Sequence, residues 1–149
     1  MPGILVHSPA DITRYLLIGL GLGVLPSTGG IWPVFVSQEP SLPDNVITTF
    51  DMSGLHQGRT QFDGEVQERH GVLVRVRSIT HEAGYAKARA IVVALDEDTY
   101  DNLINISPNS YRVHAVSRAS GPIALGKQMP DTKRDIFTAN ITVSVRQET

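Results

Sequence analysis

Hydrophobic and polar residues alternate most cleanly late in the chain. Phe137, Ala139, Ile141, Val143 and Val145 are apolar, while Thr138, Asn140, Thr142, Ser144 and Arg146 are polar. A period of two predicts a strand with one face on a core and one in water. The segment "GVLVRVRSI" repeats the pattern, with Val72, Val74 and Val76 on one side and Leu73, Arg75 and Arg77 on the other. Near the beginning the period lengthens: Ile12, Leu16 and Leu20 recur every fourth residue and Leu17 fills the same stripe, which predicts a helix. Ser8 is placed to cap it, Pro9 suits its first turn, and Asp11 favours the positive end of its dipole. Thr80 caps a second helix from His81 to about Leu95, with Ala86, Ala90 and Val93 as its stripe and Ala88, Ile91, Val92 and Leu95 widening it. Further β-branched and aromatic runs, "IWPVFVSQ", "NVITTFD", "YRVHAVSR" and "GPIALGKQ", read as strands, and Pro33 puts the first of them at a sheet edge.

Helix, strands, helix, strands in that order give an α+β fold: one domain over residues 1–149, with a mainly antiparallel sheet and two helices packed on one face. The segment from about 52 to 70 is polar, contains several glycines and keeps no period. It reads as a long loop or an extended hairpin, and long polar segments of this kind are often functional. After the strand "NVITTFD", Asp51, Ser53 and Gly54 read as a turn.

The stretch "GLGLGVLPSTGG" invites comparison with a nucleotide-binding loop. A dinucleotide loop needs a strand before its glycines and a helix after them, whereas here a helix precedes them. A Walker loop needs Gly-Lys-Ser/Thr, and no lysine occurs between Met1 and Leu55. Gly19, Gly21 and Gly23 therefore read as the exit from the first helix, with Pro26 forbidding its continuation.

Charge selects no partner: 13 basic residues face 15 acidic ones, a formal charge of -2, far from the basic excess of a free-standing nucleic-acid binder. Zero cysteines remove disulfides, zinc-thiolate sites and thiol nucleophiles together. The apolar stretch around Tyr15 to Leu25 is about half the length of a membrane span. With neither a basic leader nor a small-residue cleavage site, the expectation is a soluble chain made in the cytoplasm. The five histidines form no i, i+4 pair. Glu68 and His70 can share a strand face, but this spacing selects no metal. Ser53 lies in no G-x-S-x-G elbow, and Asp96, Glu97 and Asp98 are adjacent rather than opposed. No catalytic residue, cofactor or metal is expected, and the chain reads as a non-enzyme. Arg75, Arg77, Arg112, His114 and Arg146 belong to strands that can share one face, which is either a solvated sheet surface or a protein contact.

Taken together, "ITRYLLIGLGLG", "VITTFDMSG", "GVLVRVRSITHEAGYAKARAIVVAL" and "GPIALGKQMPDTKRDIFTANITVSV" resemble the tail terminator, or minor capsid, proteins of long-tailed bacteriophages. The resemblance covers nearly the whole chain and rests on the order and spacing of these stretches. The long "GLHQGRTQFDGEVQERH" insertion departs from it.

The resemblance implies a structural virion protein that forms a ring, a hexamer, at the head-proximal end of the tail. Such a ring caps the tail tube, stops its polymerisation and gives the head-completion or neck protein a docking surface. Its partners would be further copies of itself, the tail tube protein and the neck protein. Genomic DNA would pass through the lumen, and no membrane is involved. A head-closure or connector ring of the neck is the alternative, and a small α+β enzyme the remoter one. Expected subunit or tube contacts are Arg59, Glu65, Glu68 and Arg69 in the polar segment, Arg75 and Arg77 on their strand, and Lys127, Asp131, Lys133 and Arg134 beside the last strand. Mixed charges of this kind set register between copies.

Overall fold

A computed structural model of the chain describes residues 5–59, 66–97, 99–127 and 134–148, with backbone alone at 53–59, 66–67, 118–121 and 127. Helix α1 (Pro9–Gly19) begins as its sequence dictates: the Ser8 hydroxyl accepts the Asp11 N–H at 3.2 Å, and Pro9 occupies the first turn. It ends in a Schellman turn, in which the Leu22 N–H reaches the Leu17 carbonyl and the Gly21 N–H reaches Ile18, both at 3.0 Å. This closure needs a left-handed residue, and Gly21 supplies it with φ 78°. The glycine run is thus a helix exit.

The sheet has six strands: β1 (Val34–Val36), β2 (Val46–Arg59), β3 (Val66–Ser78), β4 (Asn102–Ile106), β5 (Asn109–Lys127) and β6 (Asp135–Glu148). Their spatial order is β1-β2-β3-β6-β5-β4. Every neighbouring pair is antiparallel except β1–β2, which is parallel. Helix α2 (His81–Glu97) connects β3 to β4 and packs with α1 on one face. The fold is α+β, with a mainly antiparallel sheet.

Its core joins Ile12, Leu16 and Leu17 of α1 to Ala88, Ile91 and Leu95 of α2 across the valines of β3 and β6. Each fully buried Leu or Ile side chain contributes about 1.5–3 kcal/mol, so this shared face holds both helices. Helix α2 approaches closely because Gly84 has no side chain: a Cβ there would lie 2.7 Å from Phe137 Cε2 and 2.9 Å from Ser78 Cβ. The Lys87 ammonium spans from α2 to the Leu22 carbonyl at 3.0 Å and lies over the Trp32 ring.

Four local expectations are corrected, and one strand was not expected. The buried stripe of α2 is Gly84, Ala88, Ile91, Val92 and Leu95, whereas Ala86 and Ala90 are exposed, because Gly84 admits Phe137 and rotates the contact line. Asp51 to Gly54 is a register irregularity inside a continuous β2, since pairing with β3 resumes at Gly54 and runs on to Arg59. "IWPVFVSQ" yields a strand of only three residues, bracketed by Trp32 at φ 60° and Ser37 at φ 62°, which extended backbone excludes. "YRVHAVSR" and "GPIALGKQ" form one strand, β5, with irregularities that absorb Gly121 and Pro122. Strand β4, unforeseen, makes a hairpin with β5 across Ser107-Pro108.

Candidate assembly surfaces

Two arginine-carboxylate groups stand out, and β6 keeps them apart. Arg75 is level with Thr138 of β6, and Arg112 is level with Arg146. Eight residues of strand separate those levels, roughly 27 Å at about 3.4 Å per residue. The five basic residues expected to share a face therefore do not form one patch.

The first group pins the connection between β1 and β2. Glu39 lies 3.2 Å from Arg75 Nε and 3.9 Å from Arg77 Nη1. Arg77 Nη2 donates to the Pro43 carbonyl at 2.6 Å, and its Nε donates to the Asp44 carbonyl at 3.2 Å. Arg134 Nη1 donates to the Ser41 carbonyl at 2.7 Å, and its Nε lies 3.5 Å from the Asp44 carboxylate. Arg77 is only 2% exposed. Burial lowers its pKa as the largest influence and Glu39 opposes the shift, yet a guanidinium stays charged at neutral pH. Beside this clamp, Trp32, Pro33, Pro43 and Ile79 line a shallow depression of about 270 Å³, with exposed Ile31 at its rim.

The second group joins β4, β5 and β6. Arg112 Nε donates to Glu148 at 2.8 Å, Arg146 lies 3.5 Å from the same carboxylate oxygen, and Arg112 Nη1 donates to the Asp101 carbonyl at 2.8 Å. The Arg112 hydrogen bond, aided by Arg146, holds the Glu148 carboxyl below the usual carboxylate range. His114 Nδ1 meets the Asp101 carboxylate at 2.7 Å. Leu103, Pro108 and Asn109 complete an open groove of about 550 Å³ around Arg112 and Glu148.

Of the expected contact residues, Arg77 is corrected: it is buried against its own chain, so it offers no surface to another. Arg75 and Arg134 are half-buried in the same clamp. Glu68 pairs with His70 at 3.0 Å on β3, as their spacing predicted, and Arg69 is exposed beside them. Arg59 ends β2 opposite Val66, and Lys127 ends β5 opposite Asp135. Glu65, Asp131 and Lys133 lie outside the described residues. Among those residues no group of His, Asp and Glu is placed to hold a metal, and no helix is long and apolar enough to cross a membrane.

Sequence reasoning missed Glu39, Asp44 and Glu148, the acidic halves of both groups, and also the docking of α1. There the Asp51 carboxylate accepts the Ala10 N–H at 2.8 Å, and the Thr49 hydroxyl donates to the Ala10 carbonyl at 3.0 Å. His7 reaches Tyr111 of β5 through its backbone N–H at 3.0 Å and through Nδ1 at 2.7 Å. The acidic residues of "SQEPSLPD", facing an arginine-bearing strand, were the one available signal for the first group.

No protein-family model and no curated protein matches the chain. Among solved structures it is similar to a protein whose name states no function, at 15% identity and a TM-score of 0.47, over 94% of this chain and 92% of that one.

Proposed function

We propose that this chain is a structural virion protein, a tail terminator of a long-tailed bacteriophage. It forms a closed ring that caps the tail tube, halts its growth and presents a surface to the head's neck proteins. One observation carries the reading: the four stretches that resemble the family interlock in a single frame. "ITRYLLIGLGLG" forms α1 from Ile12 onward and its exit, and its Ile12, Leu16 and Leu17 share one core with Ile47 of "VITTFDMSG" in β2. "GVLVRVRSITHEAGYAKARAIVVAL" runs from β3 into α2, whose Gly84 seats on Phe137 of the last stretch, in β6. The stretches that carry the resemblance thus share one core, which supports the reading.

A closed ring from one small chain needs a heterologous contact repeated around an axis. Light scattering on the purified chain, across a concentration series and with added tail tubes, tests this. A terminator assembles into a uniform species of several subunits or binds at the tube end. A persistent monomer that ignores tubes overturns the proposal. Electron microscopy of particles carrying a labelled copy should put the label at the head-proximal end of the tail, and label on the portal side would favour a connector.

A further inference from the structure

We infer that copies of this chain join head to tail through two uncovered strand edges, the later part of β2 on one copy against the outer edge of β5 on the next. The inference rests on the ring reading above and names the contact that would close it. Strand β1 pairs with β2 only from Ile47 to Thr49, and β4 pairs with β5 only from Asn109 to Val113. Among the described residues, no strand covers β2 over 50–59 or the outer side of β5 over 115–127. Long open edges expose rows of unpaired N–H and C=O groups, which proteins cover or blunt.

Strand direction favours a second copy as the cover. The steps β2 to β3, β3 to β6 and β6 to β5 are each antiparallel, so β5 runs opposite to β2. Phe50 to His56 of β2 is level with Ser120 to Val113 of β5, so the ring axis must be inclined to the strands, as in closed barrels where strands tilt by about 35–45°. Rotation about such an axis keeps the next copy's β2 antiparallel to β5 and slides its open part along to 115–127. The alternation then continues unbroken from subunit to subunit. A two-fold dimer through either edge would leave the other one open, whereas the head-to-tail contact covers both and closes a ring.

Side chains at both edges agree. Met52 is 49% exposed at the irregularity in β2, and Ile123 and Leu125 are 46% and 58% exposed on β5. Gly121 and Pro122 fall within the register shift between Ser120 and Ile123. Pro122 has no N–H to offer, so it divides the β5 edge and admits few registers, which suits a specific neighbour and discourages indiscriminate pairing.

The absence of cysteine makes a clean test. Met52→Cys, Ile123→Cys and Leu125→Cys are made singly, and Met52→Cys is combined with each of the other two. All are treated with a short bis-maleimide at concentrations where the chain assembles. One thiol per chain cannot link beyond a dimer, whereas head-to-tail contact gives the double variants a covalent ladder up to the ring size on denaturing gels. In parallel, hydrogen exchange on the unaltered chain should slow at least tenfold at edge amides of 50–59 and 115–127 on passing from dilute monomer to assembly. Double variants that stop at dimer, with unchanged edge exchange in a species that light scattering shows to be a ring, would overturn the edge contact and leave the ring reading standing. A monomer at every concentration would remove both.

Discussion

Replacing Arg77 by methionine removes the guanidinium at the centre of the clamp while keeping an apolar stem of similar length. The lost contacts are hydrogen bonds to the Pro43 and Asp44 carbonyls at 2.6 and 3.2 Å and a longer ion pair with Glu39. Hydrogen bonds from a charged donor are worth about 1.5–3 kcal/mol each, and breaking a buried pair costs about 3–5 kcal/mol. Two effects reduce the sum. The freed carbonyls lie on a connecting segment that water can reach, and Arg75 still faces Glu39 at 3.2 Å. The expected loss is therefore about 3 kcal/mol, or a urea midpoint lower by about 1.5 M at a slope near 2 kcal/mol per molar. Equilibrium urea unfolding followed by far-ultraviolet circular dichroism measures it. A double-mutant cycle with Glu39→Gln should give a coupling above about 0.5 kcal/mol, because the two side chains belong to one network. A loss below about 1 kcal/mol would refute the reasoning, since it would mean that water already satisfies the guanidinium and that the segment is not pinned.

Gly84→Ala sets a helix-propensity gain of about 1 kcal/mol against overpacking of about 1–3 kcal/mol. The crowding Ser78 Cβ sits at the end of β3, close to the backbone, and yields little, so thermal unfolding should show a net loss of about 1 kcal/mol. Asp51→Ala strips the acceptor from the Ala10 N–H, and chemical denaturation should register about 1–2 kcal/mol lost, as for a deleted helix cap. Glu148→Gln tests linkage: the wild-type carboxyl has a lowered folded pKa, so its contribution is present above the ordinary carboxylate pKa and fades as pH falls through the folded value. The stability gap between wild type and Glu148→Gln should thus be largest near neutrality and close in acid, and a gap that is constant with pH would refute the Arg112 pairing.

Period and capping made both helices and the main strands legible in the sequence. Ser8, Pro9 and Thr80 act locally, and the alternations in β3 and β6 record a one-sided core. Gly21 was legible too, because a helix exit imposes a left-handed residue. What stayed hidden depends on contacts distant in sequence. Strand β4 is short and only alternately buried, so "NLINI" carries little signal apart from its hairpin partner. The two arginines of β3 look equivalent in an alternating strand, yet Arg77 is buried and Arg75 half-exposed, because the Glu39 to Asp44 segment folds over that end of the sheet. Nothing local to β3 encodes that cover. The α2 stripe was misplaced for a similar reason: glycine reads as a weak helix residue, whereas here its missing side chain sets how α2 lies on Phe137.

Tail length tests the central claim most directly. Particles produced without this chain, imaged in negative stain, should carry tails of irregular and excessive length or tails detached from heads, and supplying the protein should restore uniform joined particles. Tails of normal length attached to filled heads in its absence would contradict the assignment.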